Sequence, residues 1–204
     1  MNQPAAYEAG VPIGLTGIRS APAGIVSRPA ERDMLGWRQD PLPVTEQHSC
    51  WLLGAHGGAG VSATIRTLAD TGLIAGDAQR AWPVPDSRAV IVVARTHAAG
   101  IGAALIAAQQ HLSGYSPPGT VLAGALLVPD GPGRLPKQLL SEITRQIAGV
   151  YPETWVLPWS EPLRLCHPDP RRSPQWPPPA AAAAAVAEQI TRTLNTPTQQ
   201  GEST

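Results

Sequence analysis

Residues 51–70 read WLLGAHGGAGVSATIRTLAD, and this stretch decides the fold. The apolar run over 49–55 leads into glycines and predicts a buried β-strand. Residues 61–72 follow as a predicted helix that ends at Gly72. A glycine-rich turn between a strand and a helix gathers backbone amides at the positive end of the helix dipole, where anions bind. The same stretch therefore predicts the position of a binding site.

The strands and helices that follow continue this alternation. Apolar runs predict strands over 88–95, 120–128 and 154–159, and helical patterns cover 96–114, 135–150 and 177–194. The intervening residues 73–87 contain apolar positions but predict no strand. Strands that alternate with helices indicate an α/β fold with three layers, in which a mostly parallel sheet of about four to five strands carries helices on both faces.

Composition divides the chain into one domain and two tails. Residues 1–47 are rich in proline, glycine, alanine and serine and predict a disordered arm, with a candidate docking segment at 34–37. Residues 48–194 form the predicted α/β domain. Residues 195–204 predict a disordered tail.

Charge and hydropathy exclude several classes of partner. Lys and Arg number 15 and Asp and Glu number 15 in a chain of 204 residues, so no net positive charge indicates direct nucleic-acid binding. No apolar run reaches the roughly 18 residues of a membrane-spanning helix, and residues 1–10 do not look like a signal peptide. Since neither segment is found and Cys50 and Cys166 imply no disulfide framework, we expect a cytoplasmic protein with reduced thiols.

The glycine-rich turn has the residue types that hold phosphate. Gly57, Gly58 and Gly60 permit the backbone angles with which successive amides converge on phosphate oxygens. Ser62 stands where the hydroxyl of a phosphate-binding loop would hold Mg²⁺.

The motif HGGAGVS, residues 56–62, resembles the deviant Walker A sequence K-G-G-x-G-K-[TS] of partition and septum-placement ATPases of the ParA/MinD kind. His56 takes the first lysine position of that sequence, Ala59 the variable position and Val61 the second lysine position. The segments VIVVARTHAAGIGAA, AGALLVPDGPGRLP and WVLPWSEPLRL resemble later parts of the same class, in the same order.

This resemblance implies a P-loop NTPase-like fold and a set of binding residues. The site would comprise the whole motif 56–62, together with Arg95 and Asp130 from the loops beside it. The implied ligand is ATP, ADP or another phosphate compound. Mg²⁺ would be bound at Ser62 only when a nucleotide is present.

A second resemblance covers roughly residues 49 to 166. HGGAG, AWPVP, VARTHA, PGRLP and PWSEPLRL look like an uncharacterised family of short P-loop-like proteins, mainly actinobacterial and often encoded beside mobile-element or conjugation genes. This resemblance implies a fold and a genomic context, and it implies no activity.

Two departures from the ATPase pattern argue against turnover. Val61 brings no charge to the phosphates, where the signature lysine would. The switch aspartates should lie between the first helix and strand 88–95, yet none of Asp70, Asp77 and Asp86 lies at the end of an apolar strand. One lost donor of transition-state charge stabilisation lowers a rate by roughly 10²–10³.

The sequence therefore favours a non-catalytic or very weakly active P-loop-like protein that binds a nucleotide or phosphate. It would act through a protein partner or as a homodimer, in a mobile-element, conjugation or partition context. Two alternatives stay open at this level. One is a pure interaction scaffold with a fossil loop, and the other is an NTPase that a partner's lysine or arginine completes.

Several residues near the turn have two possible roles. His56 either binds phosphate or caps local backbone. Arg95 either binds phosphate or pairs with a carboxylate, and we favour the pairing. Asp130 is by default a turn residue, and otherwise a contact for a base or a metal. Thr96 and His97 are expected to cap the helix that follows them.

Parallel strands end at one edge of a sheet, so the loops that follow them should meet there. These loops are 54–62, the turn after Arg95, 129–134 and 158–164. In open α/β sheets ligands bind at this edge. We therefore expect the four loops to surround the site.

Overall fold

The structure is a computed structural model that describes residues 29–38, 40–42, 48–86, 88–167, 169, 171–172 and 175–196. The predictions made for residues 1–28 and 197–204 lie outside the described residues.

Strands and helices alternate along the described chain. The strands are β1 (Gly36–Trp37), β2 (Cys50–Gly54), β3 (Ala75–Asp77), β4 (Ala81–Trp82), β5 (Ala89–Arg95), β6 (Leu122–Val128) and β7 (Thr154–Val156). The helices are α1 (Val61–Ala69), α2 (Ala98–Leu112), α3 (Lys137–Glu142), α4 (Ala148–Val150), α5 (Glu161–Arg164) and α6 (Ala181–Asn195). A 3₁₀ turn covers Glu31–Asp33, and a π-helical segment covers Ile143–Ile147.

Five parallel strands form the central sheet in the order β3-β2-β5-β6-β7. The strands β5 and β6 are almost wholly apolar and are buried along most of their length. Continuous apolar strands are typical of a parallel sheet that is covered on both faces. The predicted α/β class and its parallel sheet are confirmed.

Side chains alternate between the two faces of the sheet along each strand. In β2, Trp51 and Leu53 belong to a cluster with α2 and the segment Ile143–Ile147. Cys50 and Leu52 belong to a second cluster, with α1 and α6. Helices therefore cover both faces. Within the described residues, no helix combines the length and the apolar character needed to cross a membrane.

The helix predicted over 135–150 is a composite of α3, the π-helical segment and α4. Ile143 and Ile147 are fully buried at the two ends of the π-helical segment. A π-type turn changes the helical period locally, and here it accompanies the burial of both isoleucines on one side.

The last helix begins later than predicted, at Ala181 rather than at residue 177. Residues 177–180, which we call the proline strap, precede the helix, and Ala180 has extended angles of φ −63° and ψ 150°. A residue that precedes a proline disfavours the helical region. The prolines at 177–179 therefore delay the helix until the alanine run.

The prediction that residues 73–87 hold no strand is wrong, because β3 and β4 lie there. The strand β3 pairs with β2 along its whole length. Gly76 lies so close to the ring of Trp51 that a methyl group on its Cα would overlap the ring. Pairing and packing thus form a strand from Ala-Gly-Asp, a sequence with weak β-propensity. Asp77 consequently ends a short strand that the sequence does not predict.

Part of the predicted arm packs on the domain. The strand β1 pairs in parallel with β4. Leu35 and Leu42 are buried in the same cluster as Trp82. Gln110 of α2 is fully buried; its Oε1 accepts from the Leu35 N–H at 2.9 Å, and its Nε2 donates to the Leu35 carbonyl at 2.8 Å. The segment 34–37 is thus attached to the domain through backbone and side-chain bonds.

Candidate functional site

The order of the strands creates a crevice beside β2. From β2 the chain passes through α1 to β3 on one side, and it later enters β5 on the other side. Because α1 and α2 lie on opposite faces, the loops 55–60 and 96–97 diverge where they leave the sheet. Such a topological switch point is where open α/β sheets bind ligands.

Residues 55–60 form what we call the glycine loop. Gly58 and Gly60 have left-handed φ angles of 76° and 96°, and Gly60 is the N-cap of α1. Among the described residues, no acceptor takes the amides of Gly57, Gly58 or Gly60, or those of residues 61–63 at the start of α1. Ala59 is buried, and its N–H closes the turn on the His56 carbonyl at 3.3 Å. The loop thus presents open donors at the end of a helix that has no side-chain cap.

His56 joins the glycine loop to β5. Its Nε2 accepts the backbone N–H of Arg95 at 3.2 Å, so the proton of the ring lies on Nδ1. Nδ1 then donates to the carbonyl of Gly57 at 2.8 Å. Both ring nitrogens of a neutral imidazole are engaged with backbone. This geometry matches the backbone-capping role rather than that of a charged phosphate ligand.

Arg95 ties two loops together with its side chain. Its Nε donates to the carbonyl of Gly58 at 3.3 Å, and its Nη1 donates to the carbonyl of Pro129 at 2.8 Å. The guanidinium therefore bonds backbone carbonyls, and within the described residues it pairs with no carboxylate, contrary to the favoured expectation. Its charge lies between the glycine loop and the loop after β6.

Thr96 and His97 hold the same region from the other direction. The Nδ1 atom of His97 accepts the Gly100 N–H at 2.9 Å, which confirms His97 as the N-cap of α2. Thr96 is buried and accepts the Asp130 N–H on its Oγ1 at 3.1 Å. The loops after β2, β5 and β6 thus form one hydrogen-bonded unit.

The four loops do meet, around a cavity of about 390 Å³. Its wall includes five residues of the predicted site: His56, Gly57, Gly58, Arg95 and Asp130. The loop after β7, the proline strap and the first turns of α1 and α6 complete the wall. A cavity of this volume falls within the usual range of small-molecule sites, roughly 300–1,000 Å³.

Thr64 adds an unusual group to this wall. It lines the cavity from α1 and retains only 2% of its exposed surface. Its Oγ1 is shielded from solvent and has no hydrogen-bond partner among the described residues. A buried hydroxyl without a partner costs free energy, so its lack of a partner calls for an explanation such as a ligand or an ordered water.

The remaining predicted residues do not line the cavity. Ala59 is buried and Gly60 forms the helix cap. Val61 packs on the end of β2, where a methyl group on Gly54 would lie 3.1 Å from its Cγ2. Ser62, the predicted Mg²⁺ ligand, is exposed on α1.

Sequence reasoning missed three parts of the site. Thr64 carries no signal, because one threonine in a helix is commonplace. The proline strap has a sequence that predicts the start of a helix, because proline is common in a first helical turn. Arg80 lies in the β3–β4 turn, and a methyl group on Gly57 would lie 3.9 Å from its Nη1. That approach depends on β3, which the sequence did not predict.

These features define a three-layer α/β protein with a cavity at the switch point of a parallel sheet. The chain belongs to the family of unknown function DUF6668, whose family model matches residues 48–175. No curated protein and no solved structure matches the chain. The matched span contains the glycine loop and the three other loops that follow strands and line the cavity. The strand β1 and the helix α6 lie outside the matched span.

Proposed function

We propose that the glycine loop and the cavity beside it bind a phosphate-bearing small molecule such as ATP or ADP, and that the protein acts by occupancy rather than by turnover. The observation that carries the proposal is the set of amides without acceptors at the start of α1. The partnerless Thr64 hydroxyl in the adjoining wall supports it independently.

Phosphate is the group that these donors favour. Several backbone amides at a helix N-terminus form an anion site, because the helix dipole adds to the hydrogen bonds. Arg95 places a guanidinium against the same loop. The cavity of about 390 Å³ would take the organic part of the ligand. Mg²⁺ enters the proposal only with the phosphates of a nucleotide, and the motif offers Ser62 as its hydroxyl ligand.

The residues of the motif itself argue against phosphoryl transfer. Val61 packs against β2 and supplies no charge. His56 is neutral while its Nε2 accepts from Arg95. Phosphoryl transfer depends on positioning and charge neutralisation, and one lost donor lowers a rate by roughly 10²–10³.

Ligand binding can change the affinity for a protein partner through the linked loops. A phosphate on the glycine loop would favour the arrangement in which Arg95 and Thr96 join the loops after β2, β5 and β6. A ligand shifts an equilibrium by its difference in affinity for the two states. We assign this role to a partner protein or a second copy of the chain, in the cytoplasm. The partition context follows from the resemblance of the motif at 56–62, and the mobile-element or conjugation context from the second resemblance, over roughly residues 49 to 166.

Calorimetric titration of the full chain with inorganic phosphate, ADP and ATP, with and without Mg²⁺, tests the proposal. We expect saturable binding with a dissociation constant below about 1 mM and no release of phosphate from ATP. Absence of heat with all three compounds would refute binding. ATP hydrolysis by the isolated protein would refute the occupancy mechanism.

A matched pair of glycine variants shows whether the glycine loop is the site. Gly57 does not have a left-handed φ angle, and a methyl group there meets only Arg80 at 3.9 Å, so Gly57→Glu fits without strain. Its carboxylate should repel phosphate and abolish binding. Gly149→Glu places the same charge at a glycine that has open space around it, in α4. This control should bind like the wild type; equal binding by both variants would move the site elsewhere.

A further inference from the structure

The turn between β3 and β4 has an unusual backbone. Gln79 and Arg80 both have left-handed φ angles, 54° and 59°, although neither is glycine. Three bonds donated by backbone amides hold the turn in place. Asp77 Oδ1 accepts the Gln79 N–H at 2.7 Å, the Ala78 N–H donates to Leu52 at 2.9 Å, and the Ala81 N–H donates to Ala78 at 3.2 Å. Residues with side chains adopt such angles at a cost in free energy, and these conformations cluster at functional sites.

This backbone directs Arg80 across the end of β2 to the glycine loop. A methyl group on Gly54 would lie 3.4 Å from Arg80 Cγ and 3.1 Å from Val61 Cγ2. A methyl group on Gly57 would lie 3.9 Å from Arg80 Nη1. The stem of Arg80 therefore passes beside Val61, and its guanidinium ends at the exposed part of the loop.

Two arginines flank the glycine loop from opposite sides. Arg95 lies on the cavity side, where a methyl group on Gly60 would be 3.8 Å from its Nε. Arg80 lies on the side of β3 and is exposed. Arg95 already donates to two carbonyls. Within the described part of the chain, the guanidinium of Arg80 has no hydrogen-bond or ion-pair partner, so its donors are available to a ligand.

We propose that Arg80 is the cation of this phosphate site. From the β3–β4 turn, its side chain extends to the place that a lysine at position 61 would occupy. This inference rests on the proposed function, and it adds a binding residue that the loop motif does not contain. The guanidinium would contact a phosphate or diphosphate group held by the amides of the loop. Its planar fork suits two phosphate oxygens.

Titration with pyrophosphate and with ADP tests the role of Arg80. Arg80→Gln keeps most of the length of the side chain and removes the charge. We expect its affinity to fall about 10- to 100-fold, the range of a charge-assisted hydrogen bond, and to depend less steeply on NaCl than that of the wild type. Arg192→Gln removes an equal charge from an exposed position of α6 and should bind like the wild type. Wild-type affinity in Arg80→Gln would overturn the inference.

A second variant separates binding from stability. Arg80→Gly relieves the left-handed backbone, because glycine adopts φ near 59° without strain. We expect a higher melting temperature together with weaker pyrophosphate binding. If Arg80 only shaped the turn, the stabilised variant would bind as tightly as the wild type, and the inference would fail.

Relocating the cation completes the test. Val61→Lys in the Arg80→Gln background should recover most of the lost affinity, because both side chains pass the same glycine, Gly54. No recovery would show that the two positions do not serve one phosphate. If the wild type binds neither compound, the proposed function fails together with this inference. If the wild type binds and Arg80→Gln binds equally, only the inference on Arg80 fails.

Discussion

Replacing Gly100 with alanine probes the closest approach between α2 and the site. A methyl group on its Cα would overlap the carbonyl oxygen of Arg95 and lie 3.1 Å from His56 Nε2. Neither atom can move freely, since one belongs to the backbone and the other accepts the Arg95 N–H. Gly102 lies in the same helix with no atom within 4 Å of an added methyl group. The two glycines thus form a matched pair.

The expected magnitudes follow from three terms. Alanine in place of glycine stabilises a helix by about 1 kcal/mol, and this gain applies to both variants. At Gly100 the overlap costs about 1–3 kcal/mol, and disturbing the bond between His56 and Arg95 costs about 1 kcal/mol. Gly100→Ala should therefore lose about 1–3 kcal/mol, and Gly102→Ala should gain up to about 1 kcal/mol. The difference between the variants is about 2–4 kcal/mol.

Urea unfolding followed by tryptophan fluorescence measures this difference. With a slope near 2 kcal/mol per molar urea, the two midpoints should differ by about 1–2 M. Gly100→Ala should also bind phosphate less well, because His56 and Arg95 shape the loop. Midpoints that move in the same direction by similar amounts would refute the reasoning on the close contact.

Three further predictions test other parts of the structure. Gln110→Leu removes the buried hydrogen bonds to Leu35, so urea unfolding should show a free energy of unfolding lower by about 2–4 kcal/mol. A decrease below about 1 kcal/mol would contradict the attachment of the segment around Leu35 through these bonds. Burial lowers the pKa of His111 from 6.5, so the folded state disfavours its protonation. The free energy of unfolding should therefore be constant above about pH 6.5 and fall as the pH drops below that value, and the fall should be smaller in His111→Gln. Burial raises the pKa of Cys50 from 9.0 to about 12, so a thiol reagent should modify Cys166 in the native protein and Cys50 only after unfolding. Reaction of the reagent with the folded Cys166→Ala variant would contradict this prediction.

The strands that could be predicted were those with a pattern of their own. The runs that became β2, β5 and β6 are apolar over five or more residues, which predicts a strand covered on both faces. The strand β3 has no such pattern, and it forms because β2 offers an open edge and Gly76 makes room for Trp51. Local sequence does not carry these tertiary causes.

The same distinction applies to the site. Parallel strands bring their following loops to one edge, so the meeting of Gly57, Arg95 and Asp130 around one cavity could be predicted. The hydrogen-bond partners of Arg95 could not be predicted, because they are backbone carbonyls that any sequence supplies. The position of Arg80 beside the glycine loop could not be predicted, since it depends on a turn whose two left-handed residues are not glycine. Thr64 is conspicuous only through its missing partner.

The pairing of β1 with β4 has a practical consequence for work on isolated fragments. A shortened chain that spans only the family-matched residues 48–175 would leave β4 with a bare strand edge, and Gln110 would face solvent or an empty space. It would also lack α6, whose Ile190 is fully buried against the sheet. Bare edges and uncovered apolar faces promote self-association. Such a fragment should aggregate on expression, and a well-behaved fragment should retain both β1 and α6.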